Sequence, residues 1–166
     1  MAVIRVGTNG IADGTSGRDT IHGDGRNNTL YGFGGNDRIY GGGGNDLIYG
    51  HAGADTLTGG AGYDDFAFTT KPLKGSIDVI TDYNKKHDTI ILSKSVFKGI
   101  GKSGGWMEPD AFSLGDQALD ADDRIIYNSK NGIVYYDPDG TGSKDAVAFV
   151  KLGKGKQMFA GDFWVF

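Results

Sequence analysis

The stretch GGGGNDLIYG, residues 41–50, sets four glycines directly ahead of an Asn-Asp pair and a short apolar run. A helix would not tolerate that run, since each glycine costs roughly 0.5–1 kcal/mol relative to alanine. A plain linker would have no use for Leu47, Ile48 and Tyr49. The neighbouring sequence supplies the explanation. Read in blocks of nine from Gly14, the chain gives GTSGRDTIH, GDGRNNTLY, GFGGNDRIY, GGGGNDLIY, GHAGADTLT and GGAGYDDFA, six copies without a gap over residues 14–67. Position one is always glycine. Position six is Asp19, Asn28, Asp37, Asp46, Asp55 and Asp64, and position eight is Ile21, Leu30, Ile39, Ile48, Leu57 and Phe66. Fixed columns at a constant period are the mark of a repeat architecture.

Six residues of bent loop followed by x-apolar-x make half a coil, a tight turn and then a very short strand. Successive strands fall alternately on two parallel sheets, with position eight pointing between them. Ile21, Ile39 and Leu57 then face Leu30, Ile48 and Phe66. The expected fold is all-β, a parallel β-roll of two short sheets. Loops two repeats apart stack at about the 4.8 Å strand spacing, which brings Asp19, Asp37 and Asp55 together on one edge. Asn28, Asp46 and Asp64 line the other.

Stacked carboxylates repel unless a cation lies between them. Aspartate oxygens and the carbonyls of a bent loop suit a hard ion that accepts six to eight oxygens, which is Ca2+ rather than Mg2+. One apolar side chain in nine residues is too little burial to order so glycine-rich a segment. Calcium is therefore expected to be part of the fold.

The repeat resembles GGxGxDxUx, the RTX nonapeptide of calcium-binding β-rolls, a pattern that general surveys of repeat sequences already record. That family includes toxins, lipases, serralysin-type metalloproteases and alginate epimerase modules. The resemblance implies about four or more ions, each between loops i and i+2, with complete sites at 19/37, 37/55, 28/46 and 46/64. It also implies ligands from the backbone carbonyls of Gly14, Ser16, Gly23, Gly25, Gly32, Gly34, Gly41, Gly43, Gly50, Ala52, Gly59 and Ala61. Asn28 departs from the pattern, and a neutral amide in place of a carboxylate implies a weaker site.

Beyond Phe68 the repeat stops, and residues 68–166 read as a β-rich capping and secretion region, with residues 1–13 as an N-terminal cap or linker. Strands are expected at Ile77–Tyr83, Thr89–Leu92, Arg124–Asn128, Ile133–Asp137 and Ala146–Leu152. The stretches NSKNG and DPDGTGSK have hairpin-loop chemistry. The segments DVITDYNKKHDTIILS, RIIYNSKNGIVYYDPDGTGSKDAVAF and the terminal GDFWVF are similar to the C-terminal region of serralysin-type proteins. In that likeness Asp82 and Asp88 close the last calcium site. Asp162, Phe163, Trp164, Val165 and Phe166 match the acidic-then-apolar end of a type I secretion signal, and they also read as an ordinary final strand.

Composition bounds the function. The 166 residues contain no cysteine, so disulfides and thiolate metal sites are excluded. The net charge of −4 lies wholly in residues 1–67, where four arginines face eight aspartates. A basic nucleic-acid footprint is absent. No transmembrane run and no N-terminal signal peptide are visible. His22, His51 and His87 form no HExxH, nothing resembles G-x-S-x-G, and no catalytic residue is expected. The expectation is a non-enzymatic calcium-binding module, secreted to the extracellular space through type I secretion machinery, with room for a catalytic or adhesive module N-terminal to it. The alternative is a calcium-dependent module that binds an anionic polysaccharide, with Tyr31, Tyr49 and Leu47 outward on one sheet and Tyr40 beside Arg38 on the other.

Overall fold

A computed structural model describes all residues 1–166 and consists of strands, turns and two single 3-10 turns at Pro109–Ala111 and Ala160–Asp162. The repeats supply β3 (Thr20–His22), β4 (Thr29–Tyr31), β5 (Arg38–Gly43), β6 (Leu47–Tyr49), β7 (Thr56–Ala61) and β8 (Asp65–Phe68). These fall alternately on two sheets. In the odd sheet Ile21 pairs with Ile39 and Ile39 with Leu57, and in the even sheet Leu30 pairs with Ile48 and Ile48 with Phe66, all in parallel. The register shift is one full coil, so position eight stacks on position eight. Each of these six side chains is at most 1% exposed, and they form a single file of core down the roll.

The sheets do not stop with the repeats. Ahead of them, β1 (Val3–Arg5) lies on β3 and β2 (Ile11–Asp13) on β4, both parallel, with Ala12 buried as the last core residue. Residues 1–13 therefore make a further coil, which carries Ala2 and Gly10 where later coils carry an acid. Behind the repeats, β9 (Asp78–Ile80) stacks on β7 and β10 (Thr89–Leu92) on β8. The strand expected over Ile77–Tyr83 is shorter, because the chain turns after Ile80 to place Asp82 on the loop below.

The remaining strands are β11 (Gly105–Trp106), β12 (Phe112–Leu114), β13 (Ile125–Asn128), β14 (Ile133–Tyr136), β15 (Val147–Lys151) and β16 (Phe163–Val165). NSKNG joins β13 to β14, and DPDGTGSK joins β14 to β15, as antiparallel pairs. This meander enters the odd sheet through a parallel pairing of β15 with β9. The terminal strand β16 enters the even sheet beside β10, again parallel. The odd sheet runs β1-β3-β5-β7-β9-β15-β14-β13-β12, and the even sheet runs β2-β4-β6-β8-β10-β16-β11. One hydrophobic cluster of 27 buried residues extends from Ala12 to Val165. The C-terminal half thus covers the end of the roll by prolonging both sheets, which buries an end that would otherwise expose an open core and unpaired edges at β9 and β10. No helix is long and apolar enough to cross a membrane.

The glycine columns have two separate causes. At position four of the third to sixth copies the backbone has positive φ, as at Gly44 (89°), which only glycine adopts without strain. At position one φ is ordinary, and space is the constraint. A Cβ on Gly14 would lie 2.5 Å from the Gly32 carbonyl oxygen, and one on Gly41 would strike both the Gly59 carbonyl and the Asp46 carboxylate.

Candidate calcium sites in the stacked loops

Position-six side chains are held in two spines. On one edge the Oδ1 of Asp37 accepts the Asp19 N–H at 2.8 Å, and Asp55 does the same for Asp37 at 2.8 Å. On the other edge Asp46 accepts the Asn28 N–H at 2.8 Å, and Asp64 accepts that of Asp46 at 2.9 Å. Every one of these six side chains is at most 3% exposed. One carboxylate oxygen thus replaces a strand-type pairing at the corner of each coil.

The second oxygen is the informative one. Oδ2 of Asp37, Asp46, Asp55 and Asp64 is buried with no hydrogen-bond partner. A buried anionic oxygen without a donor is unfavourable by several kcal/mol in general, so its presence four times in register points to a cation as the missing partner. The loops offer further acceptors. The carbonyls of Gly14, Ser16, Gly23, Gly25, Gly34 and Gly50 accept no hydrogen bond from backbone or side chain, while those of Gly32 and Ala52 each accept one from a nearby amide, at 3.0 Å. Gly41, Gly43, Gly59 and Ala61 lie in the extended ends of β5 and β7, where Gly43 pairs with Ala61. Nowhere do three His, Cys, Asp or Glu side chains converge. An ion held here must take much of its shell from backbone oxygen, and oxygen-only donors in a bent loop fit Ca2+.

The first two loops differ from the other four. The Asp19 Oδ2 accepts both the N–H and the hydroxyl of Thr15 at 2.7 Å, and the Asn28 amide oxygen accepts the Asp24 N–H at 2.8 Å. In loops three to six, position two has positive φ (Phe33 64°, Gly42 109°, His51 64°, Gly60 102°), and no amide from that position reaches the carboxylate. Asp24 is engaged further by Arg26, at 2.6 Å. The N-terminal loops are closed by their own donors, whereas the later ones are left open.

Both spines continue past the repeats. Asp88 accepts the Asp64 N–H at 3.3 Å, and Asp78 accepts the Asp55 N–H at 2.8 Å. Asp82 stands outside the spine, and its two oxygens take the N–H groups of Gly59 and Gly60 at 3.1 and 2.8 Å. Asp78 is absent from the ligands expected from sequence. Its signal was the spacing Asp78-x-Ile80, the same six-x-eight pair as in the repeats. The terminal segment is a built-in part of the sheet: Asp162 accepts the Phe159 N–H at 2.9 Å, and Phe163 and Val165 are fully buried. Tyr31 and Tyr49 stack at 4.9 Å on the outer face of the even sheet, and Tyr40 stacks on His22 at 5.1 Å on the odd one.

Burial raises the carboxyl pKa values, and neighbouring carboxylates add to the rise. Asp46 and Asp55 are each pushed up to about 6 and Asp78 to about 8, and Asp37 and Asp64 are raised for the same leading reason. A carboxyl that holds its proton more tightly when folded favours folding below its unfolded pKa of about 3.9 and loses that contribution as pH rises through the folded value. With chelator present, β-structure followed by circular dichroism should therefore be greater at about pH 5 than at about pH 8. Protons and ions compete for the same oxygens, so the calcium midpoint should rise as pH falls. An ion-free β-signal that grows between those two pH values would contradict the assignment.

The spines also rank the side chains. Asp46 is shared by the loops on either side and has an unpartnered oxygen, whereas Asn28 is neutral and already satisfied. Asp46→Ala should raise the calcium midpoint of folding by more than Asn28→Ala, and Asp78→Ala should behave like a repeat aspartate. Equal midpoints for the Asp46 and Asn28 variants would mean that the stacking does not govern ion binding.

Comparison with known proteins agrees with this geometry. Residues 13–48 and 32–66 match the family model described as the RTX calcium-binding nonapeptide repeat, in four copies. The solution structure of the AlgE6R3 subunit from the Azotobacter vinelandii mannuronan C5-epimerase is similar at 27% identity and a TM-score of 0.52, over 84% of this chain and 71% of that one. No curated protein matches the chain. The stacked loops of residues 13–66 are RTX calcium-binding nonapeptide repeats, set in an all-β chain whose two sheets run mainly parallel.

Proposed function

We propose that the chain is a non-catalytic module that folds when it meets extracellular calcium, and that it supports export and folding of a secreted protein. The observation that carries this reading is the row of four buried Asp Oδ2 atoms without partners. Ions between loops 19/37, 37/55, 28/46 and 46/64 supply those partners, together with the loop carbonyls named above. The stacking of Asp78 on Asp55 and of Asp88 on Asp64 adds candidate sites at 55/78 and 64/88. In this division residues 1–13 are the N-terminal cap coil, 14–67 the calcium roll and 68–166 the C-terminal cap. Without ions the stacked carboxylates oppose folding, so the chain stays loose in calcium-poor cytosol. Extracellular calcium modules bind with Kd near ~10⁻⁴–10⁻³ M, which places the switch at the cell boundary.

A calcium titration followed by circular dichroism tests the central claim. The repeat half should be largely disordered in chelator and gain β-structure cooperatively with calcium, with magnesium a much poorer substitute. An unchanged spectrum and unchanged melting in chelator would refute it.

Export is assigned to the terminal Asp162–Phe166 segment, which resembles a type I signal. Because Phe163 and Val165 are core residues, this segment is accessible to an exporter only while the chain is unfolded. Deleting it should leave the protein inside a cell equipped with a matching type I exporter, and should also weaken folding of the purified chain. If the deleted protein appears outside at the full-length level, the signal lies upstream.

A second reading is favoured by the similarity to a subunit of a mannuronan C5-epimerase. In it the calcium-loaded roll, whose bound ions offset its aspartates, presents Tyr31 and Tyr49 to an anionic polysaccharide. The stacked tyrosines also serve as a cross-strand pair that contributes ~0.2–1 kcal/mol to the sheet.

A further inference from the structure

The outer face of the even sheet changes character at its C-terminal end. Strand alternation turns Phe163 and Val165 inward, so Trp164 between them faces out. Trp106, on the antiparallel edge strand β11, stands directly opposite and is 54% exposed, while the adjacent Met107 is buried. These are the only two tryptophans in the chain, and their indoles meet edge to face at 90° with centroids 5.0 Å apart. A perpendicular pair forms a corner in which one ring offers a floor and the other a wall.

The corner opens on a groove of about 200 Å³ completed by Asp65, Thr89 and Ile91. All three are outward residues of β8 and β10, with Thr89 directly opposite Asp65 and Ile91 opposite Trp164. None of them is needed by the core file or by the calcium spines. Asp65 makes no ion pair, and neither lysine nor arginine lines the groove. The polar end is therefore a carboxylate, which only accepts hydrogen bonds, beside a hydroxyl.

A ligand that satisfies both ends has a flat apolar face and hydroxyl donors around its rim. A pyranose with equatorial hydroxyls is such a molecule, since its axial C–H groups make two apolar faces suited to an aromatic ring. A proline or phenylalanine side chain would fill the corner but carries no donor for Asp65. A uronate would bring its own negative charge against that carboxylate. We propose that Trp106, Trp164, Asp65 and Thr89 form a subsite for an uncharged, gluco-configured saccharide. The ring stacks in the tryptophan corner, Asp65 accepts from a pair of ring hydroxyls, and Thr89 bonds the next one. This site goes beyond the calcium reading, and it lies toward the opposite end of the even sheet from Tyr31 and Tyr49.

The test uses the full-length, calcium-loaded chain titrated with cellohexaose, read by tryptophan fluorescence and calorimetry, with a mannuronate hexamer as the anionic probe. Cellohexaose should give a saturable response that Trp106→Ala weakens by about tenfold or more. Trp164→Ala should cause a comparable loss, and Asp65→Asn a several-fold one. The calcium midpoints of Trp106→Ala and Asp65→Asn should stay close to that of the parent, which separates loss of sugar binding from loss of folding. The proposal is overturned by no response to cellohexaose up to ~10 mM, by unchanged affinity in Trp106→Ala, or by tighter binding of the mannuronate hexamer. A large shift in calcium midpoint for Asp65→Asn would place that residue in the ion loops and overturn its role here.

Discussion

Each corner of the roll depends on a buried carboxylate with two oxygens in different circumstances. One oxygen accepts the amide of the equivalent residue two repeats earlier and so sets the stacking distance and register of the coils. The other has no protein donor in four consecutive loops. The same group therefore builds the coil and opposes it. An amide at every corner would remove the opposition, as Asn28 does, and with it the dependence on a cation. Position-one glycine follows from this arrangement, because a Cβ there would collide with the carboxylate and with the next carbonyl along the stack.

The contrast between the first two loops and the rest gives the roll a direction. Thr15 and Asp24 supply donors to Asp19 and Asn28, so the N-terminal end is internally satisfied. From Phe33 onward, the positive φ at position two withholds that donor. Phe33 and His51 accept a conformation that costs a non-glycine residue of order 1 kcal/mol or more. Their rings stack on each other at 5.6 Å, which offsets part of that cost. Ion dependence is thus concentrated in the middle and C-terminal coils.

The repeat part of this fold was legible in the sequence because its period is constant and its three columns have separate physical causes. Position eight predicted the core file residue by residue. What the sequence hid was continuation without periodicity. Asp78 follows Asp55 after an insertion that includes Lys71-Pro72, so it falls out of phase with the repeat even though Asp78-x-Ile80 keeps the local spacing. The first coil was hidden for a different reason, since Ala2 and Gly10 carry no acid to mark it. The terminal residues were readable as a strand but not as an interior one, because burial by β11 and by the 3-10 turn at Ala160–Asp162 depends on segments far away in sequence. Trp106 and Trp164 likewise gave no sequence signal, being brought together by an antiparallel pairing across 58 residues.

The place of β16 has a consequence for biosynthesis. It lies between β10 and β11, so β11 has no partner in the even sheet until Phe163–Val165 has been made. The even sheet at this end therefore stays open while the intervening residues are being added, and Phe163 and Val165 close the core only once they have joined β10.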